Sequence, residues 1–183
     1  MLRRIAARPT LAAVAAAALA ACSAESPTAP AAAARGDRPL AAQTQTVAGS
    51  YQLSFLTNGL QPVSSLPVND GELILKAHVQ ALATGLPAQD GSVTFEYCSL
   101  KGVPPNDITR ADEAPLEACA TGDGAWARLG SVAVNASGDA YLDFGVVQIP
   151  RTVGFRFKYA GKRGGIASGT SAPANFTWVA ATS

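Results

Sequence analysis

The chain has 183 residues, a formal net charge of +1 and 15% charged side chains. A chain so nearly neutral has no overall field to draw in nucleic acid or an anionic surface. Its 48% hydrophobic content is swollen by alanine near the start, and no run beyond Cys22 is long and apolar enough to cross a bilayer as a helix.

The first element is a leader. Arg3, Arg4 and Arg8 precede an apolar run over 11–21, the order of the basic and apolar regions of an export signal. A helix needs roughly 20 apolar residues to span a membrane, so this run predicts removal and not anchoring. Its end, Leu19-Ala20-Ala21-Cys22, resembles the lipobox of bacterial lipoproteins, in which a branched residue and two small ones precede a cysteine. The resemblance implies that 1–21 is a lipoprotein signal peptide, cut before Cys22, with diacylglycerol on the Cys22 thiol and acylation of the new amino terminus. An ordinary signal peptide with a cysteine by coincidence is the alternative. Two or three acyl chains would supply the second signal that stable anchoring needs. Ser23 stands where aspartate would resemble an inner-membrane retention signal, which favours the outer membrane if the organism has two. The expected address is the bacterial cell envelope, with the membrane as a partner through lipid on Cys22.

Residues 22–46 are rich in Ala, Pro, Ser, Thr and Gln and carry no aromatic side chain. Such a composition buries too little apolar surface to offset chain entropy, and it predicts a disordered tether. Arg35-Gly36-Asp37 within it spells an integrin-binding tripeptide, but a three-residue match in low-complexity sequence supports no role by itself.

From residue 47 to 183 the length suits a single core, and the pattern is one of strands. Tyr51, Leu53 and Phe55 alternate with polar residues before Asn58-Gly59. Leu73, Leu75, Ala77, Val79 and Ala81 do the same, as do Val93, Phe95 and Tyr97 after Asp90-Gly91. Val132 and Val134 precede a turn at 135–138. Ala140, Leu142 and Phe144 follow, then Val153, Phe155, Phe157 and Tyr159, and last Ala174, Phe176 and Trp178. No stretch keeps a helical period for three turns. About seven short strands, each with one apolar face, predict two antiparallel sheets packed face to face in an all-β sandwich.

The runs GELILKAHVQAL, GSVTFEYC, LGSVAVNASGDAYLDF and GFRFKYAGKRGGIASGTSAPANFTWV together resemble a bacterial immunoglobulin-like repeat over about 50–179. The resemblance implies an immunoglobulin-like sandwich of the kind found in exported and surface proteins, often as tandem stalk or adhesion modules. Two departures stand out. Only one copy is present, and residues 99–128 form an insertion where such repeats have a short hairpin connection.

Cys98 ends a predicted strand and Cys119 lies in that insertion. With Cys22 taken by lipid and the chain exported, these two are left to form a disulfide that pins the long loop. A structural zinc site wants four Cys or His ligands, so no metal is expected. The lone histidine, His78, falls on the polar parity of its strand and reads as surface. Asp107, Asp112, Glu113, Glu117 and Asp123 match no calcium-loop spacing and read as a solvated loop. Trp126 reads first as core at the sandwich edge, with an exposed stacking platform for a sugar or peptide as the alternative; Trp126 and Tyr97 are the candidates for a binding surface, and Trp178 reads as core. Two glycosylation-type triplets begin at Asn135 and Asn175, and carry no meaning in a bacterial lipoprotein.

The sequence offers no G-x-S-x-G, H-E-x-x-H or G-x-x-x-x-G-K-[ST], so no catalytic residue and no cofactor is assigned. The expected function is a lipid-anchored envelope protein with a non-catalytic binding or structural module, its partner an unknown protein or carbohydrate. The alternatives are an accessory subunit of an envelope complex, a small carbohydrate-active enzyme or a carbohydrate-binding domain.

Overall fold

The computed structural model describes residues 46–105, 110–163 and 165–181. The leader, Cys22, the tether with Arg35-Gly36-Asp37, and Asp107 lie outside the described residues. The elements are β1 (Gly49–Thr57), β2 (Ser65–Pro67), β3 (Leu73–Ala81), β4 (Ser92–Leu100), α1 (Leu116–Thr121), β5 (Gly124–Ala133), β6 (Asp139–Gly145), β7 (Arg151–Ala160), β8 (Gly169–Thr170) and β9 (Ala174–Val179). The seven strands read from alternation are all present, with two very short ones added.

They form an all-β sandwich. One sheet has the order β1-β3-β6; the other runs β2-β9-β7-β4-β5, with β8 also on β7. Neighbours pair antiparallel except β2, which lies parallel to β9. The chain crosses between sheets at β1–β2, β2–β3, β3–β4, β5–β6 and β6–β7, a Greek-key wiring.

Alternation sets which face is buried. In β3, Leu73, Leu75, Ala77 and Val79 are fully buried while Ile74, Lys76, His78 and Gln80 are half-buried on the other face. In β7, Val153, Phe155, Phe157 and Tyr159 turn inward. The densest part of the core is aromatic. Trp178 stacks on Phe144 with ring centroids 5.4 Å apart and meets Phe176 edge-on at 4.9 Å, while Phe144 meets Phe155 edge-on at 5.0 Å. Truncating any one of these rings to alanine would cost about 3–5 kcal/mol.

The ends of the sandwich differ. The near pole holds residue 46, the β3–β4 loop, the β5–β6 turn and the β7–β8 loop. The far pole holds the β1–β2 and β2–β3 connections, the β6–β7 loop and the insertion between β4 and β5.

That insertion narrows from 99–128 to 101–123. β4 runs on through Leu100 and β5 begins at Gly124, and the two pair from Ser92↔Ala133 to Leu100↔Gly124. A register shift at Phe95/Glu96 and the small residues around Trp126 break the alternation that would have marked this pairing.

The insertion is built into the sheet. β4 and β7 pair only as far as Tyr97↔Phe155, then splay apart. Residues 112–114 fill the gap: Leu100 N donates to Asp112 O (2.7 Å), Ala114 N to Cys98 O (2.8 Å), and Gly154 N to Ala114 O (2.9 Å). Ala114 thus bonds β4 with one backbone group and β7 with the other, and it is fully buried. The chain then crosses to the outer face. Pro115 stands at the start of α1, and Gly122, at φ 90°, ends it in the left-handed conformation that favours glycine.

Gly154 is the position this crossing requires. A Cβ there would lie 2.7 Å from the Leu116 backbone nitrogen and 2.8 Å from its Cα. Overpacking against backbone costs about 1–3 kcal/mol. Gly154→Ala should therefore lower unfolding stability by that amount and speed proteolysis within 101–123. Gly59→Ala, whose Cβ would meet only the Thr57 hydroxyl at 3.8 Å, is the control. Equal stability of the two variants in urea melts would contradict the packing.

Candidate functional site

The insertion carries a cluster of charged side chains into the far pole. Arg110 adopts φ 47°, a left-handed conformation uncommon for a residue with a side chain. Its contacts hold it there. The guanidinium lies 4.3 Å from the Phe144 ring centroid, donates from Nη2 to Phe144 O at 2.9 Å, and reaches Glu113 Oε1 from Nη1 at 3.3 Å. Arg151, at the start of β7, donates from Nη1 to Glu113 Oε2 (3.1 Å) and to Arg110 O (2.6 Å). Glu113 thereby sits between two arginines with its side chain 5% exposed.

Its neighbour Asp112 is buried as well. Tyr97 Oη donates to Asp112 Oδ2 at 2.5 Å and Ser99 Oγ to the same oxygen at 3.1 Å. Burial, then the hydrogen bond to Asp112 and that carboxylate's charge, pushes the Tyr97 phenol up to about 12. The solvated-loop reading fails for these two acids because both are consumed in bonds that seat the insertion. Glu117 is exposed beside Asn175 Nδ2 (3.3 Å), and Asp123 accepts from Thr121 Oγ1 at 2.8 Å. Among the described residues no three His, Cys, Asp or Glu side chains come together as metal ligands.

The disulfide Cys98–Cys119 is present, with Cα atoms 5.9 Å apart. It ties α1 to the outer face of β4. In the chain-entropy account a loop of this length gains roughly 3 kcal/mol from closure. Gly124 is the glycine beneath it, where a Cβ would come within 2.9 Å of Cys98 Sγ.

Neither candidate surface aromatic is a free platform. Tyr97 is 9% exposed and bonded to Asp112, because its position in β4 shares the inward parity of Val93 and Phe95. Trp126 is half-buried on β5, and the Arg156 guanidinium covers its ring at 4.2 Å. Arg156 Nε in turn donates to Glu96 Oε2 (2.7 Å), and Lys158 Nζ to Glu96 Oε1 (2.8 Å). A sugar stacking on that face of the indole would have to displace the arginine.

His78 also has partners. Its Nδ1 lies 2.7 Å from Asp139 Oδ1, and Lys76 Nζ lies 3.1 Å from Asp139 Oδ2. Burial alone would raise the Asp139 carboxyl, but hydrogen bonds from His78 and Lys76 and the lysine's charge hold it below its usual range. The triplet asparagines serve structure. Asn135 Oδ1 accepts from Ser137 N and Asp139 N in the β5–β6 turn, and Asn175 Oδ1 accepts from Leu116 N at the start of α1.

A cavity of about 430 Å³ opens beside the cluster, between the free edges β5 and β6, lined by Tyr97, Arg110, Glu113, Arg128, Leu142 and Asp143 among others. No spacing rule could have found this arrangement. Glu113 and Arg151 meet only after the Greek key has closed.

The chain matches no protein-family model and no curated protein. Among solved structures it is similar to Spo0M, a sporulation control protein from Bacillus subtilis, at 12% identity and a TM-score of 0.30. The match covers 74% of this chain and 50% of that one, so the chain spans half the length of that structure. A likeness this slight bears on neither fold detail nor function.

Burial outweighs the charges of Arg110 and Arg151 and pushes the Glu113 carboxyl up to about 6 from 4.5. The folded state then takes up this proton at a higher pH than the unfolded chain does, so stability rises as pH falls from 7 through 6 to 4.5. A shift of this size is worth about 2 kcal/mol over that window. Urea melts of the wild type and Glu113→Gln from pH 7 to 4.5 should show the difference moving in the wild type's favour by about 1–2 kcal/mol. A flat difference, or one moving the other way, would contradict the buried carboxyl's role.

Proposed function

We propose that the chain is a lipid-anchored protein of the bacterial cell envelope whose sandwich is a non-catalytic binding module. The lipobox-like Leu19-Ala20-Ala21-Cys22 and the cysteine count support the anchor: Cys98 and Cys119 use each other, which leaves Cys22 for lipid. One observation carries the binding reading. The chain joins the sandwich at the near pole, while the disulfide-pinned insertion is built on the far pole and the adjoining outer face. A recognition surface there points away from the attachment. Loops held on a rigid scaffold are where binding residues concentrate.

A docking role within an envelope complex is the second reading. β5 is an unpaired edge of ten residues, Gly124–Ala133, on which Arg128 is the one charged side chain. Native edges are usually blunted by charge or proline, and an unblunted one suits strand addition by a partner.

The anchor is tested by growing cells on labelled palmitate. The wild type should take up label and Cys22→Ala should not; label retained by the variant would overturn the assignment. In the same cells, a photo-crosslinker at Glu117 should trap a partner that one at Thr84 does not. Equal trapping at both positions would remove the far pole as the binding surface.

A further inference from the structure

The near pole has a surface of its own. Val47, 42% exposed, runs beside the β7–β8 loop, with Val47 N on Gly165 O at 3.1 Å and Ala167 N on Val47 O at 2.7 Å. The turn after β3 lifts Leu82 and Leu86 out beside it, 66% and 65% exposed, with Leu82 N on Ala48 O at 2.8 Å. A groove of about 420 Å³ lies among Val47, Leu86, Pro87, Tyr159 and Ile166, and Arg163 and Asp90 also line it. Lys162 stands next to Arg163; both are exposed, and among the described residues neither is paired with a carboxylate.

Charge divides along the molecule although the total is close to zero. The exposed acids Asp70, Glu72, Asp123, Asp143 and Glu117 lie toward the far pole and the insertion's outer face, against the exposed Lys101, while Arg110 and Arg151 there are paired with the buried Glu113. The near-pole loops present Lys162 and Arg163 against Asp90. The far pole also exposes Leu60, Val146, Ile149 and Val179, and Ile149 lines a shallow hollow with Arg110, Glu113 and Arg151.

We propose that the near pole docks on the phospholipid surface to which Cys22 is attached. Leu82 and Leu86 enter the boundary between headgroups and acyl chains, and Lys162 and Arg163 meet anionic headgroups. The occupant rests on the lipid-anchor reading; the patch stands on its own geometry. Large apolar side chains beside basic ones are the composition of interfacial contacts. An acidic far pole is repelled from the same surface, so the two ends favour one orientation.

Attachment makes a small patch sufficient. The residues between Cys22 and Thr46 can span at most ~80 Å fully extended, so the surface is always within reach. Tethering through a short linker raises the effective concentration of the second contact to about the millimolar range. A contact too weak to hold a free protein therefore holds a tethered one, and it keeps the insertion facing outward.

The test uses the chain from Cys22 onward, in which Cys98–Cys119 is closed and Cys22 is the free thiol. The thiol is coupled to a maleimide lipid in vesicles of phosphatidylethanolamine with a minor share of phosphatidylglycerol. An environment-sensitive fluorescent amino acid is placed at Thr84 or, as the control, at Asp123. On coupling, quenching by iodide at position 84 should fall severalfold, as for a residue shielded at an interface. At position 123 it should not change. Leu82→Ser with Leu86→Ser, and separately Lys162→Glu with Arg163→Glu, should restore quenching at 84. All four side chains are exposed, so thermal melts of these variants should match the wild type. Position 84 as accessible as 123 in the coupled wild type, or protection that survives the leucine changes, would overturn the proposal. Coupling is chemical, so it does not depend on acylation in cells. Absent palmitate labelling with protection at 84 would sink the anchor and not the patch; labelling without protection would do the reverse.

Discussion

Three backbone hydrogen bonds decide how this sandwich differs from a plain one. β4 and β7 separate beyond Tyr97↔Phe155, which would leave unpaired N–H and C=O groups in the middle of a sheet. Buried backbone groups without partners are costly. The segment 112–114 supplies the partners, through Leu100 N, Ala114 N and Gly154 N. Everything else about the insertion follows from that repair. Asp112 and Glu113 are carried into the far pole because they directly precede Ala114. Tyr97, Ser99, Arg110 and Arg151 converge on them because buried carboxylates require donors. Cys119 reaches Cys98 because the chain, having crossed at Gly154, must come back over the outer face to begin β5.

The sandwich was legible in the sequence because period-two alternation reports directly on a half-buried strand. β3 and β7 are clear cases: Leu73 through Ala81 and Val153 through Tyr159 keep one apolar face for their full length. The pairing of Cys98 with Cys119 was legible too, through elimination. Tyr97 was misplaced because an aromatic next to an insertion looks like a surface residue, although its parity in β4 already pointed inward. The start of β5 was hidden by a register shift, after which Ala125, Trp126 and Ala127 give no alternation to read. The acids at 112 and 113 resembled solvated loop. Their partners, Tyr97 in one strand and Arg151 in another, are brought to them only by the fold.

The two poles then acquire different characters from ordinary side-chain chemistry. One combines exposed leucines with lysine and arginine next to the point where the chain joins the sandwich. The other combines a stapled insertion, a buried ionic cluster and an acidic surround. A single overall charge of +1 conceals this division. In the lipid-anchored module we propose, such an arrangement would separate holding from recognition, with the near pole toward the surface below and the far pole toward a partner.

The central claim is that residues 112–114 belong to the sheet and not to a loop lying on it. Native-state hydrogen exchange at the amides of Leu100, Ala114 and Gly154 measures this directly, since each is the donor of one of the three bonds. Protection of the same order as that of the core amides in β3 is the result this structure requires. Exchange at the pace of exposed turn amides such as Gly71 would mean that the insertion is a surface loop, and the account of the far pole would fall with it.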